Sequence, residues 1–310
     1  MQSCRVIFLS SASIALPLLE ALLADSFFHV EAVICQPDKP AGRKGELKAP
    51  ETKLLALKHN IPVFQPLHLG RDVDLLKHFQ NQPPDVLLTF AYGQKLNASW
   101  LELGKFPALN VHTSLLPKYR GASPIQAALL NGDEESGLSL MGMLEAMDAG
   151  PIYAKSRLYI HPAMTAGDLH DRLGLLAAEK IPFWLKNLET LEPVKQDEAQ
   201  ATFAHKISKG DGFIDFSDSA RMIFNKWRAY TPWPGIWTQY KGQVLKLLEV
   251  SPTSGSLGSG VVREMQGRLF VGTSDGALEI HSLQMEGRKP MDAAAFLRGQ
   301  EGFLESRLPF

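Results

Sequence analysis

Short apolar runs alternate with helix-like patterns up to about residue 188 of the chain. The runs are bounded by proline, glycine and polar residues, and they predict strands at 5–9, 30–35, 85–89, 108–112, 139–143 and 152–156. Helical spacing of the apolar positions predicts helices at 14–23, 51–59, 72–79, 124–131 and 166–187. This alternation predicts an α/β domain with a mostly parallel sheet.

The pattern changes after residue 188. Residues 188–201 are mostly polar and are predicted to be a linker. Strand-like runs separated by glycine-containing turns then follow, at 237–240, 244–250, 260–262, 268–271 and 277–283. They indicate a small β-barrel or sandwich in which 254–260 is a flexible loop. We therefore expect a first domain at 1–188, a linker at 189–205 and a second domain at 206–310.

Composition places the chain among ordinary globular proteins. Of its 310 residues, 45% are hydrophobic and 21% charged, which excludes a disordered or fibrous chain. The formal net charge of −1 is unlike that of a basic protein that coats nucleic acid. The two cysteines, Cys4 and Cys35, exclude a disulfide framework and a multi-cysteine zinc site, and they favour a reducing compartment.

The first 24 residues have some features of a signal peptide. Pro17, Glu20 and two serines interrupt the apolar stretch, which favours a strand–helix–strand unit instead. No other run approaches the ~18 apolar residues of a membrane span, so no membrane partner is expected.

Several common motifs are missing from the sequence. The turn after the first predicted strand, 10–13, has no G-x-G-x-x-G pattern, which argues against a dinucleotide cofactor there. The glycines at 42 and 45 do not have the spacing of a P-loop, and the histidines lack metal-ligand spacing such as H-E-x-x-H. A G-x-S-x-G elbow is also absent, which disfavours a serine hydrolase.

Asn110 and His112 stand at the end of the predicted strand 108–112. Side chains two positions apart on a strand share a face, and ligands of open parallel sheets bind outside the carboxyl ends of the strands. An isolated pair of this kind is more typical of two satisfied polar residues. The non-repetitive loop Ser114–Gly121, which leads into a predicted helix, favours a binding site here.

Asp148 lies between the strands predicted at 139–143 and 152–156. An aspartate shortly before a glycine is by itself typical of an ordinary turn. Together with Asn110 and His112 it suits acyl transfer to an amine. Asn110, and His112 if protonated, would stabilise the oxyanion, while Asp148 would take the proton of the amine directly, through water or through the imidazole.

Seven segments carry a family signature: CQPDKPAGR (35–43), IPVFQP (61–66), AYG (91–93), NVHTSLLPKYRGASPIQ (110–126), MDAG (147–150), HKISKGDGFIDF (205–216) and YTPWPGIW (230–237). The H-x-S-L-L-P-x-x-R-G pattern is highly specific to folate-dependent formyltransferases. Over nearly its whole length the chain resembles the methionyl-tRNA formyltransferase family. The resemblance implies a Rossmann-like domain, an OB-type β-barrel, 10-formyltetrahydrofolate as formyl donor, initiator methionyl-tRNA as acceptor, and no metal.

The resemblance also assigns residues. It implies that Asn110, His112 and Asp148 are catalytic. It implies folate-binding residues on three segments: Phe90, Ala91, Tyr92, Gly93, Ser114, Leu115, Leu116, Pro117, Leu144 and Met147. It implies tRNA-binding residues in a basic loop and near the domain junction: Arg43, Lys44, Lys48, Lys206 and Lys209. On charge alone, residues 38–53, with five basic and three acidic side chains, are typical of a solvated loop.

Two positions depart from the family pattern. Residues 11–13 are Ser-Ala-Ser where the family usually has Gly-Thr-Pro, and this loop borders the acceptor side of the expected pocket. Thr113 replaces a glycine and is expected to face away from His112.

Two alternative functions share parts of this pattern. Another folate-dependent formyltransferase, acting on an amino sugar nucleotide or a purine precursor, would have the same three catalytic residues, but the loop at 36–50 and the β domain argue against it. A non-catalytic RNA-binding protein is disfavoured by the intact Asn–His–Asp set. We expect a monomer in a bacterial-type cytoplasm, with an organelle matrix as the alternative location.

Overall fold

The computed structural model describes residues 3–41, 45–255, 257–300 and 302–309, and the contacts divide the chain into two compact units. The first unit contains the residues up to Pro124 together with Glu135–Tyr159 and His170–Ala204. The second contains Ile125–Glu134, Ile160–Leu169 and the residues from His205 onward. Residues 189–204 therefore make their contacts mainly within the first unit.

In chain order the strands are β1 (Cys4–Leu9), β2 (Phe28–Ile34), β3 (Lys39–Ala41), β4 (Glu46–Lys48), β5 (Val63–Phe64), β6 (Val86–Thr89), β7 (Leu109–His112), β8 (Arg120–Gly121), β9 (Glu135–Gly142), β10 (Ile152–Tyr159), β11 (Phe203–Ala204), β12 (Ile236–Tyr240), β13 (Gln243–Thr253), β14 (Val262–Met265), β15 (Arg268–Gly272), β16 (Ala277–Met285) and β17 (Met291–Asp292). The α-helices are α1 (Leu16–Ala24), α2 (Glu51–Lys58), α3 (Val73–Gln80), α4 (Ala98–Leu101), α5 (Pro124–Leu130), α6 (Ala166–Lys186), α7 (Ala220–Tyr230) and α8 (Ala293–Arg298).

The first unit is built on a seven-stranded sheet of order β10-β9-β7-β6-β1-β2-β5. The five strands from β7 to β5 run parallel, and β9 and β10 are antiparallel to their neighbours. The central strand β1 is almost entirely apolar and its residues Val6–Leu9 are fully buried, as expected for a strand covered on both faces. The predicted α/β fold with a mostly parallel sheet is confirmed.

Parallel pairing of β6 with β7 places Thr89 opposite Asn110. The carboxyl ends of these two strands therefore meet at one edge of the sheet. The chain leaves β6 into the segment Phe90–Gly93 and leaves β7 into the loop that follows His112. This edge is where the sequence predicts the site.

The second unit contains an antiparallel sheet of order β12-β13-β16-β15-β14, with β17 paired to β16. It confirms the predicted C-terminal β domain. The strand expected at 260–262 begins later than predicted. Gly260, with a φ of 72°, belongs to the turn that precedes β14, and β14 begins at Val262. Helix α7, which the sequence analysis did not predict, begins after Ser219, whose hydroxyl accepts a hydrogen bond from the Met222 N–H.

The search for membrane-spanning helices, made over the described ranges, finds none that is long and apolar enough. Over the same ranges, no group of three or more His, Cys, Asp and Glu side chains is placed to hold a metal ion.

Candidate active site

Asn110 is oriented by its neighbour on β6. The Thr89 hydroxyl donates to Asn110 Oδ1 at 2.7 Å, and Thr89 itself is buried. Since the carbonyl oxygen of the amide is engaged, its Nδ2 is left as the available donor; within the described residues Nδ2 makes no hydrogen bond to the protein. The strand thus presents an unpaired amide N–H₂ at the sheet edge.

His112 is held in one tautomer by the loop that follows it. Its Nε2 lies 2.9 Å from the Tyr119 carbonyl oxygen, and the residue is only 5% exposed. A carbonyl can only accept a hydrogen bond, so Nε2 carries the proton in this contact. In the neutral ring Nδ1 therefore carries no proton, and its lone pair is available to accept one. Asn110 lies two positions earlier on the same strand and shares this face.

Asp148 reaches His112 from the β9–β10 connection. Its Oδ2 lies 3.7 Å from His112 Nδ1 and accepts a hydrogen bond from the Gly121 N–H at 2.8 Å. The 3.7 Å separation suits an ion pair with a protonated ring but is too long for a direct hydrogen bond. The structure thus brings His112 and Asp148 together, with Asn110 beside them on β7.

Comparisons with known proteins identify the family of the chain. The formyl transferase family model matches residues 4–183, and the model for the C-terminal domain of formyl transferase matches residues 206–301. A methionyl-tRNA formyltransferase of Acidobacterium capsulatum is 39% identical over 309 residues, which cover 98% of this chain and 99% of the relative. The chain belongs to the methionyl-tRNA formyltransferase family.

Solved structures of other proteins have the same fold as this chain, at low sequence identity. An N-formyltransferase from Helicobacter canadensis, crystallised with folinic acid and dTDP-3-aminofucose, has a TM-score of 0.68 at 20% identity, over 90% of this chain and 98% of that chain. A HypX variant from Aquifex aeolicus has a TM-score of 0.62 at 18% identity, over 99% of this chain and 50% of that chain. These likenesses show the common architecture only.

The residues that the methionyl-tRNA formyltransferase family implies for folate alternate between core and surface after β6. Phe90 and Tyr92 are buried, whereas Ala91 and Gly93 are exposed and have positive φ angles of 51° and 81°. The Gln36 side chain donates to the Tyr92 carbonyl, and a Cβ on Gly93 would lie 2.5 Å from that Gln36 nitrogen. The positive φ and this close approach together explain why glycine stands here.

The apolar side chains on the β9–β10 connection are left open. Leu144 is 53% exposed and Met147 is 60% exposed. Both precede Asp148 in the sequence, on a loop that also carries the exposed Glu145 and Ala146. Leu144 and Met147 are therefore free to cover an apolar ligand.

The loop after His112 divides differently. Leu116 is fully buried and clusters with Met141 and Ile152. The Ser114 hydroxyl donates to the Lys118 carbonyl at 2.6 Å, so this buried side chain shapes the loop from within. Leu115 and Pro117 are only partly buried. Of the four residues expected near folate on this loop, these last two are the ones whose side chains remain partly accessible.

The residues implied for tRNA binding are placed less completely. Lys48 is exposed and pairs with Glu51 at 2.7 Å. Lys206 and Lys209 are exposed in the second unit. Arg43 and Lys44 lie outside the described residues, between strands β3 and β4.

Two tryptophans of the second unit, Trp233 and Trp237, differ in their surroundings. Trp237 donates its indole N–H to the Lys209 carbonyl and packs edge-on against Phe213, with ring centroids 5.0 Å apart. Trp233 is 52% exposed. Trp237 therefore belongs to the packing of the second unit.

Two residues that sequence reasoning did not single out complete the site. Gln196 and Arg120 are 5% and 3% exposed, and they hydrogen-bond each other beneath the Asp148 loop. Arg120 also pairs with Glu198, which raises the pKa of the guanidinium and lowers that of the Glu198 carboxyl. Arg120 belongs to the motif at 110–126 but receives no role from it. Gln196 lies in the polar stretch 188–201, which is predicted to be a linker.

Cys35 and Tyr92 are two ionisable groups near this edge of the sheet that do not offer a nucleophile. Burial raises the pKa of the Cys35 thiol to about 11 and also raises the pKa of the Tyr92 hydroxyl. Both groups are therefore neutral at physiological pH, and a neutral thiol is a poor nucleophile.

A cavity of about 770 Å³ lies next to the Phe90–Gly93 segment. It is lined by Gln36, Pro37, Lys39, Leu67, His68, Leu69, Gly70, Arg71, Gln94, Lys95, Leu96 and Asn97. Among the described residues the lining carries cationic side chains and no carboxylate, so it favours an anionic part of a ligand. It does not include Asn110, His112 or Asp148, which form a separate part of the site.

Proposed function

We propose that this protein transfers the formyl group of 10-formyltetrahydrofolate to the α-amino group of initiator methionyl-tRNA, for translation initiation. The observation that carries the proposal is the His112–Asp148 pair. An imidazole whose Nδ1 is the free atom faces a carboxylate 3.7 Å away, beside an unpaired amide donor on the same strand. These are the groups that acyl transfer to an amine requires.

Proton removal from the attacking amine falls to His112. As the amine nitrogen bonds to the formyl carbon it becomes positively charged and must lose a proton. The free Nδ1 of the neutral ring accepts that proton, while the Tyr119 carbonyl holds the opposite nitrogen in place. Asp148, at 3.7 Å, then stabilises the imidazolium that has formed.

Asn110 stabilises the negative charge that develops on the formyl oxygen. The oxygen becomes an oxyanion when the carbonyl double bond opens, and the Nδ2 donor of Asn110 stabilises it. When the bond between the formyl carbon and N10 of the folate breaks, the His112 imidazolium returns its proton to that nitrogen. The products are formylmethionyl-tRNA and tetrahydrofolate, and no covalent enzyme intermediate is needed.

The remaining assignments belong to the same proposal. The folate lies between the Phe90–Gly93 segment and the loop that carries Leu144 and Met147, supported by the two exposed apolar side chains of that loop. The tRNA is bound through the basic side chains at Arg43, Lys44, Lys48, Lys206 and Lys209, on the strength of the family motifs. We propose a monomer in the cytoplasm.

The test is a formylation assay with purified protein, 10-formyltetrahydrofolate and either charged initiator tRNA or a dTDP-amino sugar. We expect formylation of the tRNA only. Asn110→Ala and His112→Ala should each lower the rate, by about 10²–10³-fold for loss of the oxyanion donor. Asn81→Ala, an exposed asparagine at the end of α3, is the matched control.

Each other outcome has a definite meaning. Transfer to the sugar nucleotide in place of tRNA would identify a different formyltransferase. Normal turnover in either site variant would remove that residue from the mechanism. Absence of turnover, with no rise in melting temperature on adding a reduced folate, would favour the non-catalytic RNA-binding alternative.

A further inference from the structure

The conformation of Asp148 needs outside support. Its φ angle of 51° lies in the left-handed region, which residues other than glycine adopt only at a cost in free energy. The preceding residues, from Leu144 to Met147, are exposed and offer little packing. The Asp148 carboxylate is carried by this backbone. A contact that holds the backbone in place therefore also helps to set the distance from the carboxylate to His112.

Gln196 makes the direct contacts to this backbone. Its Nε2 donates to the Asp148 carbonyl at 2.8 Å and to the Gly150 carbonyl at 2.7 Å. Its Oε1 accepts from Arg120 Nε at 3.0 Å and from Arg120 Nη2 at 2.9 Å. Both hydrogens and the oxygen of the amide are thus in use, in a side chain that is almost completely buried.

The partners determine which way the amide faces. A guanidinium can only donate hydrogen bonds, and a backbone carbonyl can only accept them. The oxygen of Gln196 must therefore face Arg120, and its nitrogen must face the Asp148 loop. A carboxylate at this position could keep the contact with Arg120 but could not donate to the two carbonyls.

Arg120 connects this contact to the other side of the site. Its neighbour Tyr119 supplies the carbonyl that holds His112 Nε2, and its neighbour Gly121 supplies the N–H that holds Asp148 Oδ2. The segment Tyr119–Gly121 is in turn anchored by Thr202, which accepts from Tyr119 through its hydroxyl and from Arg120 through its carbonyl. Both His112 and Asp148 are thus held from one short segment, Tyr119–Gly121.

We propose that Gln196 is a positioning residue for formyl transfer: it fixes the Asp148 main chain against Arg120 and so sets the approach of the Asp148 carboxylate to His112. The inference rests on the proposed function, because it concerns the efficiency of that reaction. It assigns the segment around 196, which the sequence predicted as a linker, a part in the catalytic geometry.

The test compares two substitutions of Gln196 with one matched control. Gln196→Glu keeps the size and the contact with Arg120 but removes the two donors, and Gln196→Met removes them without adding a charge. Gln200→Glu makes the same change in an exposed residue of the same segment, whose side chain hydrogen-bonds Asp197. Steady-state kinetics with both substrates and thermal melting are measured for all three.

We expect kcat to fall by about a hundredfold in both Gln196 variants, since small displacements of a catalytic group cost that much. KM for the folate should change much less than kcat, because Gln196 contacts the carbonyls of Asp148 and Gly150 and not Leu144 or Met147, the residues of this loop assigned to the folate. Gln200→Glu should retain the wild-type rate and melting temperature.

A double variant separates positioning from general loosening of the fold. If Gln196 acts through Asp148, adding Gln196→Glu to Asp148→Asn should lower kcat no further, since the group it positions has already lost its charge. A multiplicative loss, or a wild-type kcat in either folded Gln196 variant, would overturn the inference. If the wild-type protein does not formylate methionyl-tRNA, the proposed function fails, and that result is recognised before any variant is compared.

Discussion

At the scale of single residues, three of the six non-glycine residues with positive φ in the described part of the chain belong to the segments that form the candidate site. Ala91, Tyr119 and Asp148 all have φ angles of 51–60°, a region that residues other than glycine seldom adopt. Each such residue costs on the order of 1–3 kcal/mol, which surrounding contacts must offset. At Asp148 those contacts are Gly121 and Gln196. Of these three residues, Asp148 is itself assigned to the chemistry, and Tyr119 supplies the carbonyl that holds His112.

Asp148→Asn tests the charge at this position without changing its size. The amide can still accept from the Gly121 N–H, so we expect the loop to keep its place while the imidazolium loses its counter-ion. Measured kcat should fall strongly with little change in KM for the folate. The rate of the wild type should rise through neutral pH, because the substrate amine, with an unperturbed pKa of about 7.7–8.0, attacks only when neutral. Loss confined to folate binding would instead make Asp148 a folate ligand.

At the scale of elements, the sequence predicts those that are determined by local apolar pattern and misses those that depend on tertiary contacts. The buried strands β1 and β6 and the helix α6 stand close to their predicted bounds, because their apolar spacing is continuous. Helix α7 is not visible in the same way, since polar residues such as Asn225 and Arg228 are buried on its face. Gln196 is the clearest failure of pattern, because the partner that justifies its burial, Arg120, lies 76 positions away.

The candidate site shows the same division. Strand geometry predicts that Asn110 and His112 share a face at the end of a parallel strand, whereas the loop that follows them and the family motif are what favour a site there. The pairing of Asp148 with His112 depends on how the β9–β10 connection folds over β7, which no local pattern encodes. The sequence suggested Asp148 only through the chemistry that the other two residues required and through the family motif.

The β9–β10 connection depends on a glycine as much as on Asp148. A Cβ on Gly150 would lie 1.7 Å from the Gly142 carbonyl oxygen, so any side chain must push β9 and β10 apart. We expect Gly150→Ala to destabilise the protein by about 1–3 kcal/mol, as overpacked positions do. It should also lower kcat by displacing the Asp148 loop.

The control for this substitution is Gly210→Ala, where a Cβ would meet only the Ser208 hydroxyl at 3.7 Å. Urea unfolding and formylation rates are measured on both variants. A Gly150→Ala protein as stable and as active as the control would show that the strands can separate without consequence for the site.

At the scale of the whole molecule, attraction of a polyanionic tRNA cannot come from net charge. The chain carries a formal charge of −1, so any favourable field must come from local groups of basic residues. In the loop 38–53 part of the positive charge is already neutralised, because Lys48 pairs with Glu51 and Lys53 pairs with Asp38. The proposed tRNA contacts therefore rest most heavily on Arg43 and Lys44, which the family motif places in the same loop.

Arg43→Ala is the sharpest test of that assignment. Because a phosphate contact releases counter-ions, its loss should raise KM for charged tRNA and reduce the slope of log affinity against log salt concentration by about one. KM for the folate should not change, since the substitution removes no group assigned to that ligand. Lys58→Ala, an exposed lysine at the end of α2 outside the loop, is the control of equal charge and should leave both values unaltered. Binding of tRNA measured between 50 and 200 mM salt, a range over which about six to ten phosphate contacts cost 10³–10⁵ in affinity, gives the slope directly. An unchanged slope in Arg43→Ala would mean that Arg43 makes no phosphate contact. An equal loss in Lys58→Ala would mean that the loop contributes only general positive charge and that the acceptor is recognised elsewhere on the protein.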